Sequence, residues 1–478
     1  MKKILIIGGA VFGVILLLLV GASLYVASLI DEDFLVEQIE ANLNCRAAVQ
    51  ELDVGLFGAV SSIKLRGVAI GPRDADANNA VPQSERTSEI RRIISADEIE
   101  LSLRFWPLLS KRLEVESFII DGLGLNLTLF ANGTNNLKPL FTTPRLVNGE
   151  RNPALDPPPP EEAEEAAGPR TADAPFSAKD LPIAANLERV GVTNGTVTVD
   201  LRQDRQTINV SELNLLLTDI DIEPTDLANH NSADLSFDAN ISVKNARGVE
   251  TLLLLVDSSG EIVPFDAQNG QVNTAIVYSL TILENSTLHS FAVLDRLAGA
   301  LPALAQAGLE MDKLAEKAVL QENVDVVVSY GNGLVTLLND PRFPTRNYDF
   351  ALAKDSWIRV TNSTHRFVGK VIASEEESAR GIANVDRNVT EALRGRGDPA
   401  PIRNRMLNEM LENGRLYLSF TSRGRLNDPD VELLSNLPRL TDLVSGAATD
   451  IARERINQEL DRTPGARQAQ EQLQNLFR

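Results

Sequence analysis

The chain reads as a mainly β protein, with an N-terminal transmembrane helix followed by a long antiparallel sheet and a few amphipathic helices. Three observations predict this. An apolar run from Ile4 to Ile30 opens the chain behind Lys2 and Lys3. Segments with apolar side chains at every second position then recur over most of the 478 residues, the spacing that lines one face of a strand. Asn-Gly pairs sit beside such segments at 132–133, 194–195, 269–270, 332–333 and 413–414. Both residue types tolerate the positive φ that tight hairpin turns require.

The apolar run comes first. As a helix, Ile4–Ile30 would reach about 40 Å at 1.5 Å per residue, more than the roughly 30 Å of bilayer hydrocarbon. Residues 1–3, with their two lysines, then form a cytoplasmic tail and everything after residue 30 is exported. A cleaved signal peptide is the rival reading, and Ala22, Ser23, Ala27 and Ser28 leave room for cleavage. The apolar core of such peptides is about 7–15 residues, shorter than this run. The single cysteine, Cys45, excludes an internal disulfide and a thiolate metal cluster. It lies well beyond the run, so it is not a lipoprotein cysteine.

Composition narrows the partners. Hydrophobic residues make up 43% of the chain and aromatics 5%, so aliphatic side chains carry most of the burial. A net charge of -20 argues against nucleic acid, whose phosphates would be repelled. It argues equally against a broad electrostatic dock on anionic lipid.

Residues 31–142 form an N-terminal β region. It opens with "DFLVEQIEANLN", where Phe34, Leu35, Ile39 and Leu43 recur at helical spacing and predict a short amphipathic helix at the membrane exit. Strands follow. In "ISADEIELSLRF", Ile99, Leu101, Leu103 and Phe105 alternate with charged or hydroxyl residues, the pattern of a sheet with one apolar face. In "DGLGLNLTLF", Leu123, Leu125, Leu127 and Leu129 form such a row.

Residues 143–180, with "PALDPPPPEEAEEAAGPRTADAP", are proline-rich, acidic and almost devoid of large apolar side chains. Such a segment cannot bury enough surface to offset its ordering entropy and reads as a linker or loop insertion. Strands resume over 181–430. Val197, Val199 and Leu201 make one row; Leu235, Phe237, Ala239, Ile241 and Val243 make another; Leu416, Leu418 and Phe420 make a third. A helical insertion is expected over 286–320, a short helix near 402–412 and an amphipathic helical region over 431–478.

Catalytic chemistry is not visible. His230, His289 and His365 stand far apart and in no motif. HExxH, GxSxG, P-loop and paired CxxC patterns do not occur. "TDIDIEPTD" gathers Asp219, Asp221 and Asp226 but lacks the spacing and glycine of an EF-hand loop. Strand and turn carboxylates explain it better than a metal site. The expectation is a non-enzyme without cofactor or metal.

Residues 94–141, "ISADEIELSLRFWPLLSKRLEVESFIIDGLGLNLTLFANGTNNLKPLF", resemble the N-terminal signature of the AsmA-like family of Gram-negative envelope proteins. "LFGAVSSIKLRGVAIG", "LERVGVTNGTVTVDLRQDRQTINVSELNLLL" and "LYLSFTSRGRLNDPDVELL" are similar to further strands of that family in the same order. The turn at Asn135-Asn136-Leu137 lacks the Trp that often follows there, and 286–320 has no assignable counterpart.

The resemblance implies that the sheet curls into an open apolar gutter of bridge-like lipid-transfer type. A phospholipid would lie in it, its acyl chains sheltered from water at about 0.8 kcal/mol per methylene. The candidate lining is the set of rows above: Leu101, Leu103, Leu123, Leu125, Leu127, Leu129, Val197, Val199, Leu201, Leu235, Phe237, Ile241, Leu416, Leu418 and Phe420. The implied protein is single-pass in the inner membrane with its bulk in the periplasm, and its partners are phospholipids and that membrane. About 20 strands at about 4.8 Å would span on the order of 100 Å, so either a further envelope protein completes the bridge or the chain acts locally at the inner membrane. The alternative is a non-enzymatic envelope scaffold or outer-membrane assembly factor whose β core is closed.

Overall fold

The computed structural model describes residues 31–55, 60–73, 92–104, 115–142, 146–147, 150–151, 177–178, 188–271, 273, 275–288, 296–297, 317–331, 333–359, 364–393, 398–426 and 428–433. The run Ile4–Ile30, most of the linker and insertion, Phe105 and the C-terminal region lie outside them. Among the described residues no helix is long and apolar enough to cross a membrane. The chain divides into two compact units, one of Met1–Leu288, Glu322–Asn339 and Trp357–Ser363, the other of His289–Gln321, Asp340–Ser356 and Thr364–Arg478.

The first unit is one extended sheet. It begins with helix α1 (Glu32–Asn42) and strands β1 (Cys45–Ala48), β2 (Glu51–Gly55), β3 (Val60–Pro72), β4 (Ile94–Arg104), β5 (Val115–Asp121) and β6 (Gly124–Leu129). A two-residue pair, β7 (Leu146–Val147) and β8 (Glu150–Arg151), stands apart. The sheet continues with β9 (Arg189–Leu201), β10 (Gln206–Ile222), β11 (Asn231–Lys244), β12 (Glu250–Ile262), β13 (Ala275–Ile282) and β14 (Thr287–Leu288). Strands β16 (Val324–Gly331), β17 (Leu334–Leu337) and β20 (Trp357–Arg359) complete it. Pairing runs from β1 and β2 onto β3, then through β4 to β5 and β6, on to β9, and by successive neighbours to β20.

The sheet is mixed, not wholly antiparallel as the turn signals suggested. Strands β5 and β6 both run parallel to β9. Parallel neighbours need a crossover of a dozen or more residues, and the chain between Leu129 and Arg189, which contains the proline-rich segment, supplies it.

The parallel joint also explains "DGLGL". Strand β5 covers Arg189–Thr193 and β6 covers Thr196–Leu201. The chain bends between them at Gly122, whose φ is 63°; a Cβ there would overlap the Asp97 carboxylate. Opposite the bend, Asn194-Gly195 is a mid-strand bulge with Asn194 at φ 53°, not the hairpin turn its sequence predicts. Asp121 Oδ1 ties the two together, accepting from Thr193 Oγ1 at 2.7 Å and Asn194 Nδ2 at 2.7 Å. These bonds hold its carboxyl below the ordinary range. The pair at 413–414 is a true two-residue hairpin, with φ 52° and 78° as a type I′ turn requires.

Helix α1 covers the first strands. Its N-cap Asp31 accepts from Phe34 N at 2.8 Å. Leu35, Val36 and Ile39 are buried on the sheet and Leu43 packs at its margin, so the predicted stripe holds except at Phe34, which faces out. Glu40 accepts from Ala47 N at 3.0 Å and Glu32 from Leu52 N at 3.0 Å. These carboxylates satisfy backbone donors that an edge strand would otherwise present to another chain. Arg73 locks the arrangement, donating to the Glu40 and Cys45 carbonyls beside the Glu40 carboxylate at 3.7 Å. Burial pushes the Cys45 thiol up to about 12, so it is unreactive.

The second unit holds β15 (Ala318–Val319), β18 (Arg342–Pro344), β19 (Tyr348–Leu352), β21 (Thr364–Ala373), α2 (Glu375–Leu393), α3 (Ala400–Met410), β22 (Leu411–Glu412), β23 (Arg415–Arg425) and β24 (Asp428–Leu433). Its sheet runs β18, β19, β21, β23, β24, all antiparallel. Helix α3 occupies the predicted position, whereas α2 was not expected. Together they bury Val385, Val389, Leu393, Ile402 and Met410 against Ala373, Leu416 and Leu418.

Candidate functional site

The register joins the apolar rows of the first unit into one continuous face. Across β3, β4 and β5 it brings Ile63, Leu101 and Phe118 level, and Leu65, Ile99 and Ile120. In β6 and β9, Leu125, Leu127 and Leu129 lie beside Val197, Val199 and Leu201. Next, Val199 and Val197 meet Ile208 and Val210, which meet Val243 and Ile241, which meet Leu252 and Leu254. Ala239 meets Val256, then Ile282, then Val324. The face continues through Leu280–Val326, Val328–Leu337 and Val335–Ile358.

The reverse face is largely polar. Lys64, Arg66, Glu98 and Glu100 form a charge ladder on it, and Thr198, Asn209, Ser236, Asp238 and Asp257 continue it. Leu216, Leu253, Leu255 and Val277 are apolar exceptions.

Cover divides the apolar face into two stretches. Over β1–β6 it is closed. Ile63, Leu65, Ile99, Leu101 and Phe118 pack under Leu35 of α1. Leu127 packs with Val36, Ile39, Leu137 and Leu140. From β9 onward most of the row is only partly buried, including Val197, Val199, Leu201, Leu235, Phe237, Ile241, Val243, Leu252, Leu254 and Val328. Leu215, level with Phe237, is 37% exposed. Ala239, Val256, Val324 and Val326 form a buried centre line within this stretch.

The sequence-derived lining residues therefore fall into separate settings. Leu101 and Leu127 are in closed clusters, and Leu125, Leu129 and Val199 of β9 pack at the margin of the second. Leu123 sits in the bend between β5 and β6, its carbonyl accepting from Thr196 N. Leu103 takes its place in β4 opposite Ser61 and Val115. Val197, Val199, Leu201, Leu235, Phe237 and Ile241 share the partly exposed stretch. Leu416, Leu418 and Phe420 are buried in the second unit, the first two under α2 and α3 and Phe420 on Phe350 at 5.6 Å. Sequence rows at Ile208–Val210, Leu252–Leu254 and Val324–Val328 join the face without having been singled out; Ile208–Val210 and Val324–Val326 show the period of two, whereas the unbroken apolar run Leu252–Val256 hides it.

The polar side chains noted in the sequence have local roles. His230 Nδ1 lies 2.9 Å from Asp221, and the hydrogen bond to that carboxylate holds the imidazole's affinity for protons above its ordinary value. His365 is buried, with Nε2 2.7 Å from Ser422 Oγ and Nδ1 3.1 Å from the Gly424 carbonyl. Burial lowers its proton affinity. Among the described residues no group of three or more His, Cys, Asp or Glu is placed to hold a metal ion.

A large mixed sheet with one continuous apolar face, covered at its first strands and partly exposed beyond, defines a mainly β protein with a one-sided sheet. The family comparison agrees with the sequence signature: the model of the AsmA family matches residues 1–326. The chain belongs to the AsmA family. A search of curated proteins returned no match.

Proposed function

We propose that this chain is an inner-membrane-anchored envelope protein that binds phospholipid along the apolar face of its first unit and conducts it there. One observation carries the reading. From β9 to β20 the apolar side chains hold a single face in register, and most of them outside the buried line Ala239–Val256–Val324–Val326 stay partly exposed. A core needs the register but not the exposure. An acyl chain needs both, because each methylene moved from water onto such a face is worth about 0.8 kcal/mol. The surface calls for no reacting group, and family membership supports the same reading. The run Ile4–Ile30 is the anchor, and the covered strands β1–β6 follow it on the periplasmic side.

Neighbouring residues on β11 test this. Phe237 is on the apolar face and Ser236 on the polar one. A carboxylate placed among acyl chains is strongly disfavoured. The full chain carrying Phe237→Asp is expected to co-purify with several-fold less phospholipid than wild type, and Ser236→Asp with an unchanged amount. Equal lipid content in folded wild type and both variants would remove the support for a lipid-bearing face.

A further inference from the structure

Cations are unevenly shared between the two edges of the partly exposed stretch. Between residues 190 and 295 the only Lys and Arg residues are Arg202, Arg205, Lys244 and Arg247. The register places all four at one edge: β9 turns into β10 through residues 202–205, Lys244 is level with Thr207, and β11 turns into β12 through residues 245–249. The two turns are two strand spacings apart, about 10 Å. At the opposite edge the β10–β11 and β12–β13 connections bring Asp219, Asp221, Glu223, Asp226, Glu261 and Asp266. Basic residues on that side are Arg189, which opens β9, His230, paired with Asp221, and Arg359, which ends β20.

The basic turns are built and accessible. Arg202, Arg205, Lys244 and Arg247 are all exposed. Asn245 Oδ1 accepts from Arg247 N at 2.9 Å and Val249 N at 3.2 Å, fixing the second turn. Arg205 sits at φ 51°, which closes the first. Asp200, Asp204 and Glu250 share the edge, and Asp200 pairs with Arg202 at 2.9 Å. An ion pair this exposed holds weakly and leaves the guanidinium free to turn toward a stronger anion. Arg202 and Lys244 alternate with Leu201 and Val243 and stand at the polar rim, Lys244 opposite Glu250, while Arg205 and Arg247 sit in the turns themselves; immediately inward lie Leu201, Ile208, Val243 and Leu252 of the apolar face.

We infer that this edge seats the phosphate of a bound glycerophospholipid whose acyl chains lie on the adjoining apolar rows. Basic groups beside an apolar surface match a phosphodiester above two acyl chains, and guanidinium groups bind phosphate oxygens in bidentate fashion. The carboxylate-rich opposite edge repels the same headgroup, so the lipid has one orientation across the strands. An anionic phospholipid is favoured over a neutral lipid with identical chains. The inference rests on the proposed lipid-bearing face and adds the headgroup's place and chemistry.

The test uses the detergent-purified full chain, incubated with equal amounts of phosphatidylglycerol and diacylglycerol of the same acyl composition. Lipid retained per chain is then counted by native mass spectrometry. Wild type is expected to prefer phosphatidylglycerol about tenfold, from a few basic groups acting near an anionic headgroup. Arg205→Gln with Lys244→Gln and Arg247→Gln should bring the ratio near one while diacylglycerol retention stays unchanged. Arg189→Gln at the other edge should keep the wild-type ratio. A triple variant with the wild-type preference, or a wild type without preference, overturns the headgroup seat alone. Retention of neither lipid by wild type overturns the lipid-bearing face and the seat with it.

Discussion

Leu101 and Leu215 belong to the same apolar face, yet truncating them should have very different consequences. Leu101 is 0% exposed, level with Ile63 and Phe118 and covered by the cluster around Leu35. Leu101→Ala leaves a cavity in packed surroundings, at a cost of about 3 kcal/mol. Leu215 is 37% exposed and level with Val192 and Phe237. It forfeits only part of its transfer free energy on truncation, about 1 kcal/mol. Hydrogen exchange on the full chain in detergent reads both changes locally. Peptides of β3–β5 should exchange about 100-fold faster in Leu101→Ala, and those of β9–β11 about fivefold faster in Leu215→Ala. Accelerations within threefold of each other would refute the division of the face into a covered and an open stretch.

Three further outcomes follow from local geometry. Because burial lowers the folded-state pKa of His365, the stability it confers is complete above its unfolded value of about 6.5 and is lost as pH falls below that. Exchange protection of β21 and β23 should therefore weaken on acidification below about pH 6.5, and a His365→Gln variant should lose that dependence. His230 shifts the other way: Asp221 stabilises its charged form, an effect present below the unfolded pKa and lost as pH rises through the folded one. Its NMR titration midpoint should lie above that of a free imidazole, and Asp221→Asn should return it toward the ordinary value. At Gly369 a Cβ would overlap the Ala351 carbonyl and the Phe420 ring, so Gly369→Ala should destabilise the second unit by about 1–3 kcal/mol, seen as a lower thermal midpoint for that unit.

Strand existence was legible because a period of two is written locally. Partner identity is not: nothing in "DGLGLNLTL" says that its neighbour will be a parallel strand reached through a long acidic crossover. The same locality misread Asn194-Gly195, whose positive φ serves a bulge opposite the Gly122 bend. Helix α2 did carry signals, with Ile382, Val385, Val389 and Leu393 on one stripe and Ser374 Oγ capping Glu377 N at 3.2 Å.

Cover was the least legible property. Leu101 and Ile241 sit in equally regular alternations, and only the remote packing of α1 separates a buried position from a partly exposed one. Substituting aspartate at Leu125 and Leu127 would therefore strike a packed cluster and break the fold before reporting on lipid. Phe237 is the better probe.

The most direct measurement is site-specific photo-crosslinking in cells, with a photoreactive side chain placed singly along the full chain. Phe237, Leu254 and Val328 on the partly exposed row should each yield phospholipid adducts. Ser236 and Asp257 on the polar face, and Phe420 in the closed core of the second unit, should yield none. Adducts spread evenly over both faces, or absent from the apolar row while the chain is folded, would contradict a lipid-bearing face.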